Sequence, residues 1–386
     1  MRGVAILVLV ILLVAGSGLA YISYRLGQIR TVHCHTCAAP VAGGAPFNVL
    51  LIGDDSRADN TPGESIHFGT TAQAGGAHSD TIKILHVDPA SERASLLSIP
   101  RDTYVELSGL SQNWVNLLGT TKQKINAALN DSPDSLIQTI ANTFGIPIQY
   151  YVMINFNGLM SAVNTVGGIN LNFPYPARDN DNGNNNSGLD ITHAGCQTLN
   201  GGETLALARS RYYEYEIAPG VWQFDGTGDL GRIKRQNAVI EALMSKAKST
   251  YNPLSLNSFI GALVNDVVIG GGLSATELVS LALRYHAFSG TSLPTATIPT
   301  AGATSAAGDV EVVQQPATNQ LVRQFLGGPA GPITTPPLDA YGDPIATSTT
   351  PSTGSAQPST TPASVASQSD THLTAHAPPP FDPTPC

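Results

Sequence analysis

The stretch Phe47-Asn48-Val49-Leu50-Leu51-Ile52-Gly53 is a short apolar run that stops at a glycine, a pattern typical of a buried β-strand. Two more apolar runs follow at residues 82–87 and 94–99. Residues 134–144 then place apolar side chains at helical spacing, and strand-like and helix-like segments continue to alternate beyond them. This alternation predicts one α/β domain at residues 47–300, with a central mixed β-sheet flanked by helices on both faces.

The N-terminal residues differ in composition from this domain. The eighteen residues 4–21 are almost purely apolar, and that length just reaches what a membrane-spanning helix needs. We therefore expect an uncleaved transmembrane signal anchor at residues 1–25. A cleaved signal peptide is the alternative, because small residues follow Ser17. A polar stalk rich in Ala and Gly is expected at residues 26–46, and most of the chain is expected outside the cytoplasm.

The last part of the chain is rich in proline. Thirteen of the 27 prolines lie after Phe325, in a stretch without Lys or Arg that is dense in Ser, Thr and Ala. Such a composition buries too little apolar surface to offset the entropy of an ordered chain. We expect residues 301–386 to form a disordered tail.

The charge of the chain excludes two classes of protein. Its formal net charge is −9 and only 12% of its residues are charged, which argues against a polybasic nucleic-acid binder and against a highly charged disordered protein. Eleven of the 19 basic residues nonetheless fall between Lys83 and Arg235. This concentration indicates an anionic ligand, with a solvated basic face as the alternative.

Charged residues stand at the ends of the predicted strands. Asp55 follows the first strand and Asp80 precedes the second, so the two carboxylates could share one hard cation where α/β folds keep their ligands. Either aspartate alone is more often a turn or cap residue. Arg101 and Asp102 follow Pro100 at the end of the third strand. The proline restricts how the chain presents Arg101, although a surface ion pair is the plainer interpretation.

Arginines on predicted helices give the strongest signal. Arg232 and Gln236 share one face of a helix at residues 230–248, for which Asp229 is the expected N-cap. Apolar residues continue the Arg232 stripe, and Arg209 also lies among Leu and Ala. An inward-pointing arginine is costly unless it is paired. A buried pyrophosphate would satisfy these side chains.

The four cysteines are Cys34, Cys37, Cys196 and Cys386. The first two form a Cys-x-x-Cys pair that resembles a redox or metal half-site, but a zinc site would need a second such pair. Outside the cell, disulfide bonding is the more typical use. The sequence leaves the pairing open.

Seven segments, taken in this order, resemble the LytR–CpsA–Psr family of bacterial cell-envelope enzymes. The segments are residues 48–57, 79–81, 98–102, 124–128, 166–169, 208–211 and 228–236. Each is weak alone, but their order is specific, and the resemblance covers about residues 47–250. The chain departs from the family at His78, where arginine is usual, and in the longer segments after Asp55 and after Arg211. Its Ala- and Thr-rich composition suggests an actinobacterial source.

The resemblance implies a Mg²⁺-dependent phosphotransferase that moves a glycopolymer from a polyprenyl pyrophosphate carrier onto peptidoglycan. It implies a single-pass membrane protein with its catalytic domain on the cell-wall side. The acidic chain with its N-terminal apolar segment gives no support for a nucleic-acid partner. Asp55 and Asp80 match the Mg²⁺ ligands, while Arg101 and Asp102 match the catalytic motif. The matches to pyrophosphate-binding residues are Lys124, Arg209, Arg211, Arg232 and Gln236. The alternatives are a polyprenyl-pyrophosphate phosphatase and a non-catalytic envelope protein that binds polyprenyl lipid.

Overall fold

The computed structural model describes the part of the chain that holds most of the predicted domain. The described residues are 24–41, 44–54, 79–91, 93–249, 261, 264, 266–274, 277, 293–328 and 381–386, with the backbone alone at 79–80 and 247–249. The apolar run at residues 4–21, the position of Asp55 and residues 329–380 of the predicted tail lie outside them. No helix among the described residues is long and apolar enough to cross a membrane.

Short strands and six described helices alternate along the chain. The strands are β1 Arg30–Val32, β2 Phe47–Asp54, β3 Ser79–Asp88, β4 Arg93–Ile99, β5 Tyr104–Glu106, β6 Lys122–Lys124, β7 Tyr150–Asn155, β8 Ile169–Phe173, β9 Ala177–Asp179, β10 Asp190–Ile191, β11 Gly195–Leu199, β12 Tyr213–Ala218, β13 Val221–Phe224, β14 Val267–Gly270, β15 Thr295–Thr297, β16 Thr300–Ser305, β17 Gly308–Val313 and β18 Thr384–Pro385. The helices are α1 Gln112–Leu118, α2 Pro133–Phe144, α3 Phe156–Thr165, α4 Gly201–Arg209, α5 Gly228–Ser249 and α6 Ala317–Phe325, with a 3₁₀ helix at Ile125–Asn130.

The central sheet is mixed, as the sequence predicts. Its order is β1-β14-β7-β2-β3-β4-β15, with β2–β3 and β3–β4 antiparallel and β2–β7 parallel. Ile82 and Ile84 of β3 join the core cluster that also contains the buried residues of α2. Lys83, which points to the other face, bonds to Asn237 of α5. Helices therefore cover both faces, and the predicted fold is confirmed.

Helix α2 shows why the predicted elements form. Ser132 accepts a hydrogen bond from the backbone N–H of Ser135, and Pro133 occupies the first turn, where a missing N–H costs nothing. Gly145 ends the helix with φ 68°, a conformation that glycine adopts readily. The predicted apolar stripe of this helix is buried, from Leu136 to Phe144.

Two smaller sheets and three helices surround a second core. They are the sheet β10-β9-β12-β13, the sheet β11-β8-β18, and helices α3, α4 and α5. Apolar side chains of helices α3 and α5 pack in this cluster. They are Leu159, Val163, Val239 and Leu243.

The predicted end of the domain at residue 300 is wrong. Strands β16 and β17 form an antiparallel hairpin, and α6 buries Val322 and Phe325 in the core cluster of the central sheet. The proline-rich composition begins after Phe325, so it says nothing about the residues just before it. The predicted disordered tail therefore fails for residues 301–328.

Residues 381–386 also return to the fold, and we refer to them as the C-terminal strap. Thr384 and Pro385 pair with β8, and Cys386 forms a disulfide with Cys196. The Phe381 ring stacks on Tyr215 with centroids 4.7 Å apart. Here the disulfide and these specific contacts offset the entropy lost when the chain becomes ordered. The average composition of the tail does not reveal such contacts. The disordered tail is wrong for this segment as well.

The predicted stalk is also wrong in part. Strand β1 pairs with β14 and extends the central sheet, so the fold begins before residue 47. Cys34 and Cys37 form a disulfide and pack against the core cluster of the sheet. The Asp134 carboxylate accepts a hydrogen bond from the backbone N–H of His35 at 3.1 Å. Residues 30–37 are thereby attached to the domain.

Candidate functional site

The turn after β4 positions two predicted site residues. The backbone N–H of Thr103 donates to the Pro100 carbonyl at 3.1 Å, and that of Asn126 donates to the Arg101 carbonyl at 3.2 Å. These bonds attach the turn to the 3₁₀ helix. The side chains of Arg101 and Asp102 are partly buried there, so the chain presents both groups from a fixed backbone.

The Asp102 carboxylate is shared by cations from three parts of the chain. Its Oδ1 lies 3.1 Å from Lys124 Nζ, and its Oδ2 lies 3.3 Å from Arg211 Nη2 and 3.7 Å from Arg101 Nε. Asp102 therefore organises three of the residues that the sequence analysis assigned to one site.

A second carboxylate, Asp229, extends this arrangement. Helix α5 begins at Gly228, so Asp229 lies in the first turn rather than at the N-cap that the sequence suggested. Its Oδ1 lies 2.5 Å from Arg232 Nη2 and 3.9 Å from Arg211 Nε. The Arg232 side chain is only 3% exposed. Arg211 thus contacts both aspartates.

Four cationic side chains share two carboxylates, and we call these four the cationic cluster. They are Arg101, Lys124, Arg211 and Arg232. Positive charge exceeds negative charge among these six groups, in partly buried surroundings where electrostatic interactions are stronger than in water. Guanidinium groups also match the geometry of phosphate oxygens. The arrangement suits an anion with several oxygens.

Two further predicted site residues, Gln236 and Arg209, make contacts at the end of α4. Gln236 Nε2 donates to the Ala208 carbonyl at 3.1 Å, which ties α5 to α4. The Arg209 guanidinium lies 5.0 Å from the centroid of the Phe156 ring at the start of α3. The contacts of these two side chains therefore help to join three helices.

The pairing of β2 with β3 gives the position of Asp80. Gly53 pairs with Thr81 and Asp54 with Ser79, so Asp80 lies opposite the end of β2. Asp55 follows directly in sequence but lies outside the described residues. Among the side chains that the structure describes, no group of three His, Cys, Asp or Glu residues could hold a metal ion.

Residues 27–325 match the model of the LytR_cpsA_psr family. The chain belongs to the LytR–CpsA–Psr family. The match includes β1, the β16–β17 hairpin and α6, which the sequence analysis had placed outside the domain.

Three relatives show what this LytR–CpsA–Psr protein is similar to. It is 32% identical over 255 residues to the probable cell wall biosynthesis protein LcpB of Corynebacterium glutamicum, covering 65% of this chain and 55% of that protein. It is 29% identical over 254 residues to the polyisoprenyl-teichoic acid–peptidoglycan teichoic acid transferase TagV of Bacillus subtilis, covering 66% and 56%. The structure of a LytR-Csp2A-Psr enzyme from Actinomyces oris shares the fold, with a TM-score of 0.57 at 19% identity over 77% of this chain and 95% of that one. The chain spans about half the length of these curated relatives.

Lys83, which was not among the predicted site residues, lies beside the site of this LytR–CpsA–Psr domain. Lys83 is only 1% exposed, and its Nζ donates to Ser98 Oγ at 2.9 Å and Asn237 Oδ1 at 2.7 Å. Burial and the repulsion of Arg232 lower the pKa of Lys83 to about 7, against the opposing attraction of Asp229. The available signal was a lysine between two isoleucines in an apolar run.

Replacing Lys83 with methionine should change how stability depends on pH. The folded pKa is about 7 and the unfolded pKa about 10.4, so the unfolded chain binds more protons between them and stability rises with pH in that window. Below pH 7 Lys83 is protonated in both states, so the full cost of burying its ammonium group still lowers the stability of the wild type. The stabilising effect of Lys83→Met should therefore shrink by about 3–4 kcal/mol between pH 7 and 10.

Thermal unfolding at pH 6, 8 and 10 checks this prediction. Exposed Lys122 supplies the control Lys122→Met, which should follow the wild-type pH profile. Parallel pH profiles for wild type and Lys83→Met would contradict the prediction.

A second missed residue, Glu311, comes from the hairpin that was assigned to the tail. Its backbone N–H donates to the Asp102 carbonyl at 2.9 Å, which fixes β17 against the turn after β4. Burial raises the pKa of Glu311, the charges of Asp229 and Asp102 raise it further, and a hydrogen bond with Thr300 opposes them. Glu311 therefore adds a carboxyl group to the edge of the site.

Proposed function

We propose that this protein transfers a glycopolymer from a polyprenyl pyrophosphate carrier onto peptidoglycan, at the outer face of the cell membrane. The observation that carries the proposal is the cationic cluster, in which four basic side chains share two carboxylates within a LytR–CpsA–Psr domain. The name of TagV, a polyisoprenyl-teichoic acid–peptidoglycan teichoic acid transferase, supports the same class of donor and acceptor.

The proposed reaction is a direct phosphoryl transfer. A hydroxyl oxygen of the acceptor forms a bond to the phosphorus next to the glycan, and the hydroxyl proton is lost to a base. The bond from that phosphorus to the bridging oxygen breaks, and polyprenyl phosphate leaves with the electron pair. Such reactions are accelerated mainly by positioning and by stabilisation of developing charge.

In this proposal the cationic cluster holds the pyrophosphate and neutralises the charge that develops on the leaving phosphate. Asp102 acts as a positioning residue, because it contacts Lys124 and Arg211 from opposite oxygens. Arg209 and Gln236 complete the site at the end of α4. Gln236 contributes there by fixing α4 against α5 through the Ala208 carbonyl.

We also propose that Mg²⁺ binds beside this cluster. Asp80 lies opposite the end of β2, where Asp54 pairs with Ser79, and Asp55 is the next residue after Asp54 in the sequence. Carboxylate oxygens are the ligands that Mg²⁺ prefers. When bound, the ion would reduce the negative charge of the pyrophosphate. The apolar residues 4–21 would anchor the protein in the membrane.

A reconstituted assay tests the proposal. The full chain in lipid nanodiscs is mixed with farnesyl-pyrophosphoryl-N-acetylglucosamine and soluble peptidoglycan fragments, with Mg²⁺ or with EDTA, and products are followed by mass spectrometry. A Mg²⁺-dependent, phosphate-linked sugar on the acceptor is expected. Sugar phosphate released without an acceptor product would indicate a phosphatase. Donor binding without turnover would indicate a lipid-binding protein.

A further inference from the structure

One face of the sheet β10-β9-β12-β13 is turned away from the second core. Ala177, Tyr213 and Tyr215 point inward and are buried. The strand pairing places Arg178, Glu214 and Phe224 in line across the opposite face, because paired residues of antiparallel strands share a side. Trp222 lies two residues from Phe224 on the same side. Together with Tyr212 these residues form what we call the aromatic face.

The polar groups of the aromatic face are held by hydrogen bonds within the protein before any ligand binds. Glu214 Oε2 accepts hydrogen bonds from Arg178 Nε at 2.9 Å and Nη2 at 2.8 Å. The same oxygen accepts a hydrogen bond from Asn180 Nδ2 at 2.9 Å. The Arg178 guanidinium also lies 4.0 Å from the centroid of the Trp222 ring. Little side-chain entropy remains to be lost when a ligand binds such a surface.

Two aromatic rings of this face are exposed. Tyr212 is 41% and Phe224 is 47% exposed, and their rings stack with centroids 6.4 Å apart and planes 25° apart. Large exposed rings beside fixed hydrogen-bonding groups are typical of ligand surfaces. The pair presents flat apolar area next to Arg178 and Asn180.

The aromatic face is joined to the cationic cluster by a single turn. Asp179 Oδ2 accepts hydrogen bonds from Ser210 Oγ at 2.7 Å, from Arg211 N at 3.1 Å and from Tyr212 N at 3.2 Å. The buried Asp179 carboxylate therefore fixes three consecutive residues. Within that turn Arg211 reaches Asp102, while Tyr212 stacks on Phe224. Arg211 and Tyr212 are consecutive residues, so this turn connects the cationic cluster to the aromatic face.

We propose that the aromatic face binds the sugar ring of the donor that is attached to the phosphate held by the cationic cluster. The C–H groups on one side of a pyranose ring pack against the negative face of an aromatic ring, and the sugar hydroxyls find Arg178, Asn180 and Glu214. This inference rests on the proposed function and assigns its donor-sugar subsite to Tyr212 and Phe224.

Calorimetric titration of the full chain in nanodiscs tests the inference with two probes that differ by one sugar. Farnesyl pyrophosphate reports on the cationic cluster, and farnesyl-pyrophosphoryl-N-acetylglucosamine reports on both surfaces. The double variant Tyr212→Leu and Phe224→Leu keeps apolar bulk but removes both rings. We expect it to bind the sugar-bearing probe about tenfold more weakly, with unchanged affinity for farnesyl pyrophosphate.

Matched variants separate this effect from general damage. The pair Ile217→Ala and Val221→Ala alters exposed apolar residues at the end of the same hairpin and should change neither affinity. The pair Tyr212→Phe and Phe224→Tyr retains the rings and should retain the affinity for the sugar. In the transfer assay the leucine variant should raise the KM for the donor while kcat stays the same.

Three results would overturn the inference. One is equal affinity of wild type and leucine variant for the sugar-bearing probe, and another is an equal loss for both probes. The third is that the leucine variant loses affinity only for a peptidoglycan disaccharide, which would place the acceptor on this face. Failure of wild type to bind farnesyl pyrophosphate would instead remove the proposed function itself, so the two failures are distinguishable.

Discussion

Replacing Arg101 with alanine is expected to lower the rate of glycopolymer transfer by about 10²–10³. Arg101 lies in the cationic cluster, 3.7 Å from Asp102, on a turn that its neighbours hold through backbone hydrogen bonds. Removal of one group that stabilises developing charge costs about 2.7–4 kcal/mol in the transition state. The side chain is only partly buried, so the variant should fold normally.

Steady-state kinetics and thermal unfolding of the same preparations check this expectation. Arg93→Ala is the matched control, because Arg93 is an exposed arginine at the opposite end of β4. It should keep both the turnover and the Tm of the wild type. An Arg101→Ala protein with near wild-type turnover would exclude Arg101 from the reaction.

Replacing Asp382 with alanine is expected to destabilise the fold by about 3 kcal/mol. Arg235 is fully buried, with Nη1 2.7 Å from Asp225 Oδ2 and 3.2 Å from Asp382 Oδ1, and its guanidinium lies 4.4 Å from the centroid of the Tyr213 ring. Loss of Asp382 leaves this buried cation with one carboxylate fewer. Breaking a buried pair is costly because the remaining charge stays out of water.

Asp382→Asn provides a graded comparison. Burial raises the pKa of Asp382, against the opposing attraction of Arg235 and Lys234. Because the ionised carboxylate is disfavoured, its negative charge contributes less to stability than its hydrogen-bonding oxygen does. Asparagine keeps that oxygen and should cost less than alanine.

Urea unfolding without reductant measures both Asp382 variants with the disulfides intact. Exposed Asp190 supplies the control Asp190→Ala, which should leave the midpoint unchanged. Equal midpoints for Asp382→Ala and wild type would show that the C-terminal strap adds nothing through this pair.

Local patterns in the sequence were sufficient to predict the strands and the helix at the centre of the fold. The apolar runs of β2, β3 and β4 and the helical stripe of α2 each lie within a dozen residues, so their burial is visible in the sequence. The inward position of Arg232 followed from its apolar stripe in the same way. Its partner Asp229 stands only three residues away, yet it was interpreted as a cap because sequence spacing does not show which way a carboxylate points.

Contacts between distant residues could not be predicted. Arg211 meets Asp102 across 109 positions, and Cys386 meets Cys196 across 190. Arg235 sits beside Arg232 in sequence, but its burial depends on Asp382, far along the chain. The average composition of the tail did not indicate that Asp382 is buried, because a single ion pair has almost no effect on the composition of a long segment.

The disulfide between Cys196 and the C-terminal strap also determines what proteolysis can release. A single cut anywhere in residues 329–380 yields two polypeptides that remain joined through Cys196 and Cys386. The smaller fragment migrates separately on a gel only after reduction. Release of the strap from the domain therefore requires a reductant as well as a protease.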